Sequence, residues 1–159
     1  MKDRISSAKE ARSYVPAVGT QQRSYRSVEE SKPVHVAQTE SGVCKLTIMQ
    51  GKEYGKVYDL DQLVKNSGRR LLTMGRGSAN GIFVEDYMES YISRRHCTIE
   101  KIGESLWQIR DGQWDFDNSV WVDSMNGTYV NSDKVSQSGK LLKSGDIITI
   151  GDTKLKFEL

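Results

Sequence analysis

From Val43 to the C-terminus the chain is a succession of short, alternating apolar runs, each closed by Gly, Asn, Asp or Ser: VCKLTIM, KVYDL, RLLTM, IFV, CTIEKI, LWQIR, VWV, TYV, DIITI and KLKFEL. Alternation of period two is what a half-buried strand requires, and turn residues about every ten positions fit short strands joined directly. No helical period of useful length interrupts them. The pattern predicts an all-β domain over residues 43–159, an antiparallel sandwich or barrel. Alternate side chains such as Cys97, Ile99, Leu155 and Phe157 are expected to face inward. The loops of such a fold gather at its two ends, and binding groups gather on them.

Residues 1–42 have a different texture. They are rich in Ser, Thr, Tyr, Gln and Glu, hold both prolines (Pro16 and Pro33) and lack a sustained hydrophobic period, so they are predicted to form a mostly disordered tail. Ser7 stands three residues before Glu10, a capping-box spacing compatible with a short transient helix over 8–15. Of 23 Lys/Arg and 21 Asp/Glu, seven and five fall in the tail, and sixteen of each in the body. The net charge of +2 therefore belongs to the tail. A neutral body lacks the broad basic face that wraps nucleic acid, so any anion site must be local. Cys44 and Cys97 lie in predicted strands with neither CxxC spacing nor neighbouring ligands, and are expected to be small core residues outside any disulfide. MKDRISSAKE has no apolar h-region, and no run approaches the ~18 residues of a membrane span, which points to a soluble, cytoplasmic protein.

Three loops carry the chemistry. In MGRGSANG (74–81), three glycines permit a tight path and Arg76 projects a rigid fork of donors where a strand gives way to loop. Alone, this loop reads more readily as a plain turn with an exposed arginine. Neither GxxxxGKS/T nor a strand–GxGxxG–helix unit is present, which sets nucleotide binding aside. In SYISRRHCTIE (90–100), Ser93, Arg94, Arg95 and His96 crowd the mouth of a strand as a solvated cluster, a catalytic group or an anion cradle. Catalysis is disfavoured, because no orienting carboxylate is evident and the other histidine, His35, lies in the tail. No metal triad, catalytic residue or cofactor is expected, and His96 is assigned to hydrogen-bonding loop backbone. The third loop, DSMNGTYVNSDKV (123–135), holds Asn126-Gly127, a strong turn signal that an ordinary hairpin would also explain.

In combination these blocks are specific. Gly75-Arg76, Ser93-Arg94-Arg95-His96, Ser124-Met125-Asn126-Gly127-Thr128 with Asn131, and the closing LKSGDIITIGDTKLKFEL resemble, in the right order, the forkhead-associated (FHA) domain. The resemblance covers residues 43–159. It implies an FHA-like antiparallel β-sandwich of about eleven short strands whose end loops read phosphothreonine in partner proteins. By the same resemblance Arg76, Ser93 and Arg94 would hold the phosphate and Asn126 would bond the peptide backbone. Gly75, His96, Gly127 and Asn131 would shape and brace the loops. A phosphate carries close to two negative charges and three acceptor oxygens, which these donors complement.

The chain departs from the family pattern in several places. Arg95 falls at a variable position and lends positive field. Met125 stands where Thr or Leu is commoner, and a flexible apolar side chain there would alter the preference for neighbouring peptide residues. Gly81 replaces a frequent acidic residue before Ile82, and the 76–93 loop is about two residues long for the family. The largest departure is GQWDFDNSVW (112–121), roughly ten extra residues whose Trp114, Phe116 and Trp121 either cap the sandwich edge or extend the recognition surface.

The expected function is a non-enzymatic signalling adaptor that binds phosphothreonine-containing segments. The alternative is a structural interaction domain that does not depend on phosphate. Thr20 and Thr39 are candidate phosphosites, which would make the chain's own tail a partner at roughly millimolar effective concentration. Thr20 would span ~25 Å as a flexible coil, whereas Thr39 is close to the first strand; an unmodified linker is the plainer reading of the tail.

Overall fold

The computed structural model describes residues 42–88 and 91–159. The tail expected over 1–42 therefore falls almost wholly outside the described residues, with its short helix, His35, Thr20 and Thr39. In chain order the described elements are β1 (Lys45–Gln50), β2 (Val57–Asp59), α1 (Leu60–Ser67), β3 (Leu71–Gly75), β4 (Ile82–Phe83), β5 (Cys97–Lys101) and β6 (Trp107–Asp111). They continue as β7 (Gln113–Asp115), β8 (Val120–Val122), β9 (Thr128–Val130), β10 (Asp133–Val135), β11 (Lys140–Leu141), β12 (Ile147–Ile150) and β13 (Thr153–Glu158).

Two sheets make the sandwich, with strand orders β10-β9-β12-β13-β1-β2 and β11-β6-β5-β3-β4, and β7 and β8 form a separate hairpin. All pairings are antiparallel except β3 with β4. The inward faces meet in one apolar core in which Leu46, Ile48, Ile99, Trp107, Ile109, Leu155 and Phe157 are fully buried. Each such side chain contributes about 1.5–3 kcal/mol by leaving water. Cys97, Ile99, Leu155 and Phe157 all point inward, as the alternation requires. Cys44 and Cys97 are buried and unpaired with each other, and burial pushes the Cys44 thiol up to about 12. Both behave as small apolar residues.

Three details differ from the expectation. Thirteen strands occur among the described residues rather than about eleven, and the short pieces β7, β10 and β11 have no counterpart among the ten apolar runs of the sequence. KVYDL is a strand only as far as Asp59, where α1 begins. Asp59 caps that helix by accepting the Gln62 backbone N–H at 2.8 Å, and Gly68 ends it at φ 65°. Leu60, Leu63 and Val64 form its inward stripe, at the i, i+3, i+4 spacing of a helix. Finally, Asn126-Gly127 does not turn a hairpin. The β9–β10 hairpin turns at Asn131 and Ser132, both at positive φ (49° and 73°) with Val130 opposite Asp133.

This architecture fixes where the loops meet. The pairing of β3 with β5 sets Met74 opposite Cys97, so Gly75-Arg76 leaves the sheet beside the incoming 93–96 segment. Cys97 in turn faces Asp111, the last residue of β6. Thr128, the first residue of β9 in the other sheet, reaches Asp111 at 2.7 Å. Three loops far apart in sequence thus share one end of the sandwich.

Candidate functional site

The backbone of residues 76–77 is zipped onto residues 93–94. The Arg76 N–H donates to the Ser93 carbonyl (3.1 Å) and the Gly77 N–H to the Arg94 carbonyl (3.0 Å). Gly75 makes the approach possible, since a β-carbon there would lie 2.4 Å from the Arg94 oxygen and 2.8 Å from that of Ser93. Asn80 adds a clamp, its amide donating to the Gly77 and Arg94 carbonyls at 2.7 and 2.6 Å. Gln113, at the root of the aromatic hairpin, donates to Asn80 Oδ1 (2.9 Å) and to the Met74 and Cys97 carbonyls (both 3.1 Å). One buried amide therefore holds β3, β5 and the 77–80 loop together.

His96 joins the second loop to the third. Its Nδ1 accepts the Ser93 backbone N–H at 3.0 Å and its Nε2 donates to the Gly127 carbonyl at 2.9 Å. Those two bonds require the neutral tautomer with the proton on Nε2. Burial favours the same form and lowers the imidazole's pKa, against the smaller opposing effect of the Gly127 bond. Ser93 and His96 meet through the serine backbone and not its hydroxyl. The Ser93 Oγ accepts from the Met125 N–H at 3.0 Å, which leaves the hydroxyl proton to donate elsewhere.

Two buried carboxylates, which sequence reasoning missed, set the loop shapes. Asp111 accepts from the Ser124 and Thr128 hydroxyls at 2.6 and 2.7 Å, and from the Ser124 N–H at 3.1 Å. Asp86 accepts from the Tyr91 and Ile92 N–H groups, both at 2.8 Å, immediately before Ser93. Burial works to raise the Asp86 pKa, but its backbone N–H bonds and the Arg76 charge outweigh it and hold the carboxyl below the usual range. Asn126 ties the third loop to the second by donating to the Tyr91 carbonyl at 3.0 Å.

These contacts frame a cavity of about 830 Å³ lined by Arg76, Ser93, Arg94, Arg95 and Met125 among others. Arg76 Nε is buried and has no hydrogen-bond partner among the described residues. The fold thus brings together the three expected phosphate ligands, with Arg95 and Met125 beside them. Met125 is 85% exposed at the rim, and Arg95 makes a long 3.7 Å ion pair with Asp115. Gly75, His96 and Gly127 brace the walls. Asn131 does not: it bonds Asp146 (2.8 Å) and the Ile147 N–H (2.9 Å), bracing a different turn. Trp114 stands outside this cavity and lines an adjoining cleft.

The sequence model of the FHA domain matches residues 72–151. The chain belongs to the FHA domain family. Similar proteins include the glycogen accumulation regulator GarA of Mycobacterium tuberculosis, 29% identical over 116 residues, which are 73% of this chain and 57% of that protein. GarA of Mycolicibacterium smegmatis is 31% identical over 117 residues, 74% of this chain and 60% of that one. The match thus spans well under two thirds of these relatives' length. Among solved structures, the FHA domain of CT664 from Chlamydia trachomatis superposes with a TM-score of 0.55 at 20% identity, covering 73% of this chain and 96% of that one. Mycobacterium tuberculosis EmbR in complex with a low-affinity phosphopeptide gives 0.54 at 23% identity, covering 73% of this chain and 24% of EmbR. At such identities the superpositions establish the FHA fold alone.

The residues that set the site's geometry without being in the family blocks are Asp86, Asn80, Asp111 and Gln113. Their contacts cross 13 to 39 positions, apart from the local bonds of Asp86 and the bond from Asn80 to Gly77. A carboxylate ending one strand and a Ser-x-Asn-Gly-Thr block to receive it would have been the readable signal for Asp111.

Proposed function

We propose that this FHA domain is a non-enzymatic module that binds phosphothreonine-containing segments of partner proteins, with Arg76, Ser93 and Arg94 holding the phosphate. The observation that carries the reading is the buried Arg76 Nε–H, which lacks an acceptor at the wall of a cavity also lined by Ser93 and Arg94. A buried guanidinium N–H with no partner is costly, and a doubly charged phosphate is the acceptor that its planar fork suits. The Ser93 hydroxyl is held as an acceptor from Met125, so its proton supplies a further donor. Asn126, in the third loop and bonded to the second through the Tyr91 carbonyl, would read peptide backbone with its amide. The phosphopeptide bound to EmbR and the regulator role in GarA's name support the class of function. His96 is committed at both nitrogens and does not meet the Ser93 hydroxyl, which fits an adaptor better than a hydrolase.

The partner class includes the chain's own tail, through Thr20 or Thr39, and the reading carries with it a cytoplasmic setting. Among the described residues no helix is long and apolar enough to cross a membrane.

Calorimetric titration of the full chain with a phosphothreonine peptide, its phosphoserine version and its unphosphorylated twin tests the reading. Each charge-assisted bond contributes about 1.5–3 kcal/mol, so Arg76→Ala and Ser93→Ala should each weaken phosphopeptide binding tenfold or more. Equal affinity for phosphorylated and unphosphorylated peptides would favour a phosphate-independent interaction domain instead.

A further inference from the structure

The candidate phosphate cavity adjoins a second cleft. Arg94, Arg95 and Gln113 line both, and the second, of about 430 Å³, runs between the 77–80 loop and the β7–β8 hairpin. Strand alternation explains the division. Asp115 lines the phosphate cavity and not the cleft, whereas Trp114 and Phe116 line the cleft beside Ala79 and not the cavity; Gln113, at the root of the hairpin, borders both. Trp114 is 44% and Phe116 81% exposed. Arg69 adds a third guanidinium to the cleft. Among the described residues, the Arg69 and Arg94 side chains form no hydrogen bond or ion pair, and Arg95 has only its long contact with Asp115.

We propose that this cleft is a second contact for the same phosphorylated partner. It takes an acidic segment flanking the phosphothreonine and seats one apolar side chain against Trp114 and Phe116. The inference rests on the phosphothreonine reading above. Two features of the cleft select this occupant. Three guanidiniums with a single weak internal carboxylate contact complement carboxylates, which Arg binds through parallel hydrogen bonds. Exposed aromatic rings next to them offer apolar area at little cost in conformational freedom. The sharing of Arg94 and Arg95 by cavity and cleft selects a segment of the same chain as the phosphate, since an extended peptide advances ~3.3 Å per residue and needs only a short flank to reach from one to the other. The neutral body of the domain argues against a polynucleotide. The hairpin that forms one wall is the stretch by which this chain exceeds the family pattern.

The test uses the full chain and four fluorescent peptides: a phosphothreonine core with Gly-Ser flanks, the same core with Asp-Leu-Glu-Leu before it or after it, and the unphosphorylated acidic version. The variants are Arg69→Gln and Phe116→Ser, both exposed and outside the phosphate cavity. One acidic-apolar flank should tighten wild-type binding by about tenfold, as two or so charge-assisted contacts at a partly exposed site allow. Both variants should abolish most of that gain while binding the neutral-flank phosphopeptide as wild type does. A gain that survives in both variants, or no gain from either flank, overturns the proposal. An oligouridylate that binds wild type and is lost in both variants would assign the cleft to single-stranded nucleic acid and overturn it as well. If even the neutral-flank phosphopeptide fails to bind, the phosphothreonine reading falls and this one with it, so the two failures are distinguishable.

Discussion

Gly75 and Arg94 approach so closely that a β-carbon on the glycine would lie 2.4 Å from the arginine's carbonyl oxygen. The neighbour is backbone, already held by the Gly77 N–H and the Asn80 amide, and cannot yield without parting the two loops. Gly75→Ala should therefore destabilise the domain by about 1–3 kcal/mol, the usual cost of overpacking. Differential scanning calorimetry should show a lower Tm, with phosphopeptide affinity falling alongside it. Unchanged Tm and affinity would mean that the loops separate freely.

His96 gives the domain a pH dependence of definite sign. Its folded-state pKa is lowered by burial, so the unfolded chain binds more protons as pH falls. Stability is fully present above the unfolded value near 6.5 and is lost as pH falls toward and through the lowered folded value. Wild-type Tm should drop from pH 7.5 to pH 5.5. In His96→Asn, less stable throughout, that part of the slope should be flattened. Equal slopes in the two proteins would remove His96 as the source.

Asp111 is predicted to anchor the third loop. Its carboxylate receives two hydroxyls and a backbone N–H, and an amide in its place would turn one acceptor into a donor facing donors. Asp111→Asn should cost about 1–3 kcal/mol in chemical denaturation and weaken phosphopeptide binding through the displaced 124–128 segment. Asp133→Asn, which removes an exposed ion pair with Lys140, should change stability by less than about 0.5 kcal/mol.

The sandwich and the cluster of loop residues at one of its ends could be read from the sequence because their signals are local. Strand alternation showed Cys97, Ile99, Leu155 and Phe157 as core, and the motif blocks singled out Arg76, Ser93 and Arg94. Helix α1 had local signals too, in Asp59 with Gln62 and in Gly68, but eight residues with a three-member apolar stripe are easily taken for strand and turn. Asn126-Gly127 has the composition of a hairpin turn, yet β8 and β9 do not pair, and the turn falls on Asn131 and Ser132 instead. The supports at Asp111 and Gln113 were hidden for a physical reason. A buried carboxylate or amide acts through partners brought close only by sheet pairing, and nothing in its neighbouring residues distinguishes it from a surface one.

Phosphothreonine binding as proposed makes phosphate the acceptor for the buried Arg76 Nε–H. Nitrogen-15 NMR of the arginine Nε–H groups, assigned with Arg76→Lys, follows that atom directly while a phosphothreonine peptide is added. A large downfield proton shift of the Arg76 Nε–H and slowed exchange with water are expected, both absent with the unphosphorylated twin. A phosphopeptide that binds while this resonance stays in place would contradict the proposal.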